Sequence, residues 1–230
     1  MVAISCLTGL TIARMDADNL INSSFPFGGL TNEKIVKGLK EALTLGTKAS
    51  ADKASKADGF YKNPIIKIPF PKEAKEMEQT LKSIGMESEV NRFVKTLNRA
   101  AEDASKKAAP VFIDAITKMS ITDGLKILKG GNTAATEFLK TGTSAKLKVE
   151  FKPIVKASLQ KVEITKQWKP MVKRYNKIPF VKKMNPDLDD YVTTKAIEGL
   201  FKLIADEELK IRKDPKAFGS DLLSDVFGGF

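Results

Sequence analysis

Apolar residues return every three or four positions along most of the chain from Thr31 onward, the period of an amphipathic helix rather than a strand. Thr31 is placed to cap a helix running to about Asp58, with Ile35, Leu39, Ala42, Leu43 and Ala49 on its apolar side. GFYKNPIIKIPFP then breaks the pattern. Pro64, Pro69 and Pro71 exclude a helix interior, so an extended crossover is predicted, with Ile65, Ile66, Ile68 and Phe70 turned onto the core.

Pro71 is suited to open the next helix, in which Ala74, Met77, Leu81 and Ile84 keep helical spacing until Gly85 stops it. Ser88 is expected to open a long helix through Phe93, Leu97, Ala101 and Ala104, which Pro110 bends or interrupts. Its alanines suit close helix–helix approach. Thr122 is expected to cap a short helix ending at Gly130 and Gly131, and Asn132 to cap another containing Phe138 and Leu139. A further helix spans about Ser144 to Val162, with Pro153 inside it. After TKQWKPMVKRYN and the extended KIPFVKKMNP, a long helix runs from about Pro186 or Leu188 to Lys213 and stops at Pro215. SDLLSDVFG has room for a terminal turn or two.

No segment sustains strand alternation. The predicted fold class is all-α: a single-domain layered helical bundle with proline-rich extended crossovers. Residues 1–31 read as a leader or lead-in segment and 32–230 as one helical domain. The stretch MVAISCLTGLTIA is as apolar as the core of an export signal but lacks a basic leader. A truncated signal and a buried or frayed N-terminal segment both remain open. The tetrapeptide KIPF occurs at Lys67 and again at Lys177, and reads as two similar packing connectors.

Composition sharpens this by exclusion. With 230 residues, 42% of them hydrophobic, the chain can enclose a sizeable core. It contains no histidine, which removes Ser-His and Cys-His nucleophiles and imidazole metal sites. Its one cysteine, Cys6, excludes an internal disulfide, a zinc cluster and a CxxC motif. Phosphate-cradling glycine loops are absent, and no metal or cofactor is assigned. Asp187, Asp189 and Asp190 stand where the last helix begins and read as capping residues. Glu208 and Arg212 have the spacing of a surface ion pair.

The charge is concentrated. Residues 140–183 hold 13 basic and 2 acidic side chains, a balance of +11 that equals the net charge of the whole chain. On a helix Lys166, Lys169, Lys173 and Lys177 fall in one stripe flanked by Arg174, with Trp168, Met171, Val172 and Tyr175 opposite. Pro170 belongs in a first turn, which puts Lys166 at the edge of that helix. Lys182 and Lys183 extend the ridge. These seven basic residues are the candidate anion-binding site, for an acidic polymer or an anionic membrane surface. Sequence-specific nucleic acid is not expected, because the stacking aromatics are predicted to face inward.

The ordered motifs GLKEAL, GFYKNPIIKIPFP, LNRAAEDASKKAAPVFIDAI, GGNTAATEFLKTGTSAKL, FKPIVKASL, YVTTKAIEGLFKLIADEELKIRKDP and DLLSDVFG give the chain its family likeness. It resembles the family named domain of unknown function 4197 from about Asn32 to Gly228. The resemblance implies a single all-helical domain, mainly bacterial and often exported as a periplasmic, lipoprotein or secreted form, without an established activity. It carries over no site residues. The leading expectation is a non-enzymatic binding or structural module using the basic segment. Two alternatives stand beside it: a carrier of an apolar ligand around Phe93, Phe112 and Phe201, and an enzyme using buried carboxylates such as Glu102, Asp103 or Asp114. Sequence assigns neither a transmembrane segment nor an oligomeric state.

Overall fold

The computed structural model describes residues 31–177, 179–180, 183–185 and 187–215. The expected leader or lead-in segment, up to residue 30, and the turns expected in SDLLSDVFG lie outside the described residues. The described chain is all-α, with no strand among these residues.

Helix α1 (Asn32–Ser55) begins where Thr31 Oγ1 accepts the Lys34 N–H. Its buried seam passes through Leu39, Leu43, Gly46, Ser50 and Ala54. Ala49, expected on that seam, is exposed, because it lies roughly 100° round the helix from its centre. The crossover follows in non-helical form. Ile66, at the end of a turn closed by the Asn63 carbonyl, and Ile68 and Phe70 after it are all buried. Ile65, expected on the core with them, is exposed.

A 3-10 turn (Lys72–Ala74) begins directly after Pro71 and leads into α2 (Lys75–Ser83), a short peripheral helix on α3 with no fully buried residue. Ile84, expected in its apolar stripe, is exposed. Gly85 closes it at φ +85°, a left-handed conformation that glycine adopts without strain. Helix α3 (Glu87–Ser105) starts one residue before Ser88, and Ala100, Ala101 and Ala104 are wholly buried along it. The break before α4 (Ala108–Thr117) falls at Lys106 and Lys107, so Pro110 sits in a first turn, where its missing N–H costs no helical bond.

Helix α5 (Ile121–Lys129) is capped by Ser120, not Thr122, through a reciprocal box with Asp123. Helix α6 (Ala134–Gln160) is the largest departure from expectation: one 27-residue helix replaces two. Its buried positions Ala135, Leu139, Thr143, Leu147, Phe151, Val155 and Leu159 repeat every fourth residue without a gap. That unbroken stripe, packed against α3 and α9, outweighs the weak helix formers of TGTS. Pro153 is tolerated because it faces solvent, where water can replace the bond its ring removes. Short helices α7 (Glu163–Lys166) and α8 (Trp168–Tyr175) follow, then α9 (Leu188–Lys213). Asp187 caps α9 by accepting the Asp190 N–H.

Helices α1, α3, α6 and α9 pack on one another, with α4 wedged against α1 and α6. Buried glutamates join these layers. Glu102 on α3 is 3% exposed and accepts the backbone N–H groups of Phe60 and Tyr61, while Arg99 bonds its other oxygen. Asn98 both accepts the Ile68 N–H and donates to its carbonyl, at 2.8 Å each way. The crossover's buried backbone is therefore satisfied by α3 as a neighbouring strand would satisfy it.

Glu208 does the same for α6. It accepts from Ala135 N, Thr136 N and Thr136 Oγ1 at the start of that helix, and from Arg212. The expected surface pair is therefore a buried one, with side chains 5% and 13% exposed.

Candidate anion-binding site

The basic segment covers α6 from Lys140 onward and continues through α7 and α8 towards α9. Trp168 and Val172 are buried, and Trp168 packs its ring against Phe93 at 5.5 Å and Phe70 at 5.8 Å. That anchorage fixes the rotation of α8, so Lys169 and Lys173 face solvent, with Lys177 exposed just beyond the helix. Pro170 is the third residue of α8, and Lys166 ends α7 rather than joining the α8 ridge. Lys183 is exposed. Lys182 and the Arg174 side chain lie outside the described residues.

Acidic groups of α9 neutralise part of the segment. Lys148 pairs with Asp190 at 2.9 Å, and Lys152 pairs with Asp187 at 2.9 Å. Lys146 pairs with Asp114 and Lys140 with Glu137. Lys156, Lys169, Lys173, Lys177 and Lys183 have no carboxylate within ion-pairing distance among the described residues. The aspartates at the start of α9 thus both cap that helix and hold α6.

Two features of this region are tertiary. The first is a cleft of about 540 Å³ between the end of α6, α7, the first turn of α8 and the start of α9. Lys152, Lys156, Lys166 and Lys169 line it, with Asp187 and Asp189 among them. Leu159, Trp168 and Leu188 supply its apolar wall. Burial pushes the Asp189 carboxyl up, and neighbouring Asp187 adds to that, against the pull of Lys156, Lys152 and Lys169. Burial also acts on Asp187, but Lys152 and the Asp190 N–H outweigh it and hold that carboxyl below its ordinary range. The Trp168 Nε1 is buried without an acceptor.

The second is the loop from Asn176 to Met184. Its base is closed by the Asn176 amide, which donates to the Met184 carbonyl and accepts the Met184 N–H, both at 2.8 Å. Within it Phe180 is 108% exposed at φ +64°, in the left-handed region that a bulky residue rarely enters. The two KIPF copies are therefore used in opposite ways. Phe70 docks on Phe93 with ring centroids 4.9 Å apart, whereas Phe180 projects into solvent.

Sequence reasoning found the α8 ridge but missed Lys152, Lys156 and Phe180. Lys148, Lys152 and Lys156 carried a signal, an i, i+4 series out of phase with Leu147, Phe151 and Val155. Their approach to Lys169 was not readable, since it depends on how α8 folds back.

The other candidates sit elsewhere. Glu102, Asp103 and Asp114 share no partner. Asp103 is held low by Lys106 and Ser158, and Asp114 by Lys118 and Lys146. Phe93, Phe112 and Phe201 are buried, and Phe112 meets Phe201 edge-on at 5.8 Å. Among the described residues, no helix is long and apolar enough to cross a membrane. A family model described as "Protein of unknown function (DUF4197)" matches residues 29–228. No curated protein and no solved structure matches the chain.

Proposed function

The chain belongs to the DUF4197 family, and from that premise, which supplies no activity, we propose a non-enzymatic binding module that rests on an anionic membrane surface. The contact is the exposed ridge Lys169, Lys173 and Lys177 together with the loop that carries Phe180. One observation supports this over binding to an acidic polymer. A fully exposed phenyl ring lies in sequence between two exposed lysines, Lys177 and Lys183, on a segment that Asn176 joins to Met184. Lysines near an anionic leaflet contribute about 1 kcal/mol each. An aromatic ring at the headgroup level adds apolar burial that a soluble polyanion does not offer.

Vesicle co-sedimentation tests it. The protein should bind vesicles containing phosphatidylglycerol and leave purely zwitterionic ones at low salt. The double substitution Lys173→Ala with Lys177→Ala should weaken binding about thirtyfold at low salt, and much less at high salt. Phe180→Ser should weaken it about tenfold at either salt concentration, since its contribution is apolar. Equal binding to neutral vesicles would overturn the reading. So would a Phe180→Ser protein that binds as the parent does, the result expected if the face serves a polymer such as heparin.

A further inference from the structure

The cleft beside the ridge has a different character from the ridge itself. We propose that it receives a phosphomonoester dianion attached to an apolar or aromatic group, with the phosphate between Lys156 and Lys169 and the organic part against Trp168, Leu159 and Leu188. The proposal rests on the anion-binding reading of segment 140–183 and adds a second, internal site to it.

Size and charge both fit. A volume of about 540 Å³ lies inside the roughly 300–1,000 Å³ range of small-molecule sites. Four lysines and two aspartates line the cleft. Lys152 is committed to Asp187, whereas Lys156 and Lys169 are exposed and have no carboxylate within pairing distance among the described residues. Lys156 and Lys169, which make no ion pair among the described residues although Asp189 faces both, offer two ammonium groups to a phosphomonoester, which carries about −1.5 to −2 near neutral pH.

The aspartates limit the ligand as well. Asp187 and Asp189 line the same cleft, so a second phosphate group would meet like charge. A ligand with several phosphates is therefore disfavoured, and a single phosphate belongs here. Trp168 supplies the organic wall, and it is the chain's one tryptophan. Its Nε1 is a buried donor without an acceptor among the described residues.

The phosphomonoester has two sources, a free organic phosphate or the headgroup of an anionic lipid. Phenyl phosphate serves as the soluble probe. Vesicles of phosphatidic acid, compared with phosphatidylglycerol at matched surface charge, serve as the lipid probe. Binding is read by Trp168 fluorescence and in parallel by calorimetry, so a silent indole does not hide it.

Saturable binding of phenyl phosphate is expected, weakened about tenfold by Lys156→Ala and again by Lys169→Ala. Lys177→Ala should leave it unchanged. Tighter binding to phosphatidic acid than to phosphatidylglycerol, lost in the same two variants, assigns the site to a headgroup. Phenyl phosphate binding without that preference assigns it to a soluble phosphate.

Absence of both, or binding indifferent to Lys156 and Lys169, overturns the proposal. Vesicle binding that depends on Lys173, Lys177 and Phe180 while phenyl phosphate stays unbound sinks the cleft alone. Phenyl phosphate binding without vesicle binding sinks the membrane reading alone.

Discussion

At the residue scale, the strongest determinants are polar groups placed inside. Glu208 accepts two backbone N–H groups and the Thr136 hydroxyl at the start of α6 while pairing with Arg212. Removing one partner of a buried, hydrogen-bonded pair leaves the other charge uncompensated and costs about 3–5 kcal/mol. Glu208→Ala should therefore lower the melting temperature by on the order of 10 °C for a chain this size. Thermal unfolding followed by circular dichroism checks it. A fall under about 2 °C would mean that solvent already shares the site. The sequence named this glutamate and its arginine at the right spacing but put them at the surface, because spacing within a helix says nothing about what lies across from it.

At the element scale, helix identity follows local pattern and helix length follows packing. The fourfold-spaced buried series of α6 runs through three threonines, a glycine and a proline, and the long seam it makes with α3 and α9 keeps the helix continuous. Close approach matters equally between α1 and α5. A Cβ at Gly124 would fall 2.7 Å from one methyl of Val36 and 3.0 Å from the other, on a β-branched side chain with little freedom to move. Gly124→Ala gains about 1 kcal/mol of helix propensity but incurs overpacking of about 1–3 kcal/mol. Chemical denaturation should show the variant at or below parental stability. Adding Val36→Ala should make the glycine replacement stabilising, and additivity of the two changes would refute the contact.

At the scale of the whole molecule, electrostatics links stability to pH. Asp58 is held low by Lys62 and Arg99, Asp103 by Lys106, Asp114 by Lys118 and Lys146, and Asp123 by Ser120. Carboxyls that are more acidic in the folded state stabilise it above the unfolded carboxylate range, and that contribution is lost as pH falls through their folded values. The melting temperature should hold from pH 7 to about 5 and fall steeply below about 4. Asp189 runs the other way. Its raised value means that ionisation disfavours the fold as pH rises past it, so Asp189→Asn should stabilise at neutral pH and not in acid. A melting series from pH 7 to 2.5 reads both signs. Equal gains from Asp189→Asn at both ends of the series would discount burial as the cause.

Taken by itself, the sequence determined what depends on near neighbours along the chain. Hydrophobic period dictated helices, prolines dictated the crossover, and the absence of histidine removed whole classes of chemistry. The concentration of lysine in residues 140–183 was equally plain, and the burial of Trp168 and Val172 turned Lys169 and Lys173 outward as their spacing required. Only the tertiary structure decided which lysines meet acids. Asp187 and Asp190 reach back from α9 to Lys152 and Lys148, while Lys156 and Lys169 converge on a cleft from different helices. It also decided that one KIPF phenylalanine packs and the other projects, because burial is a property of what stands opposite a residue and not of its neighbours in the chain.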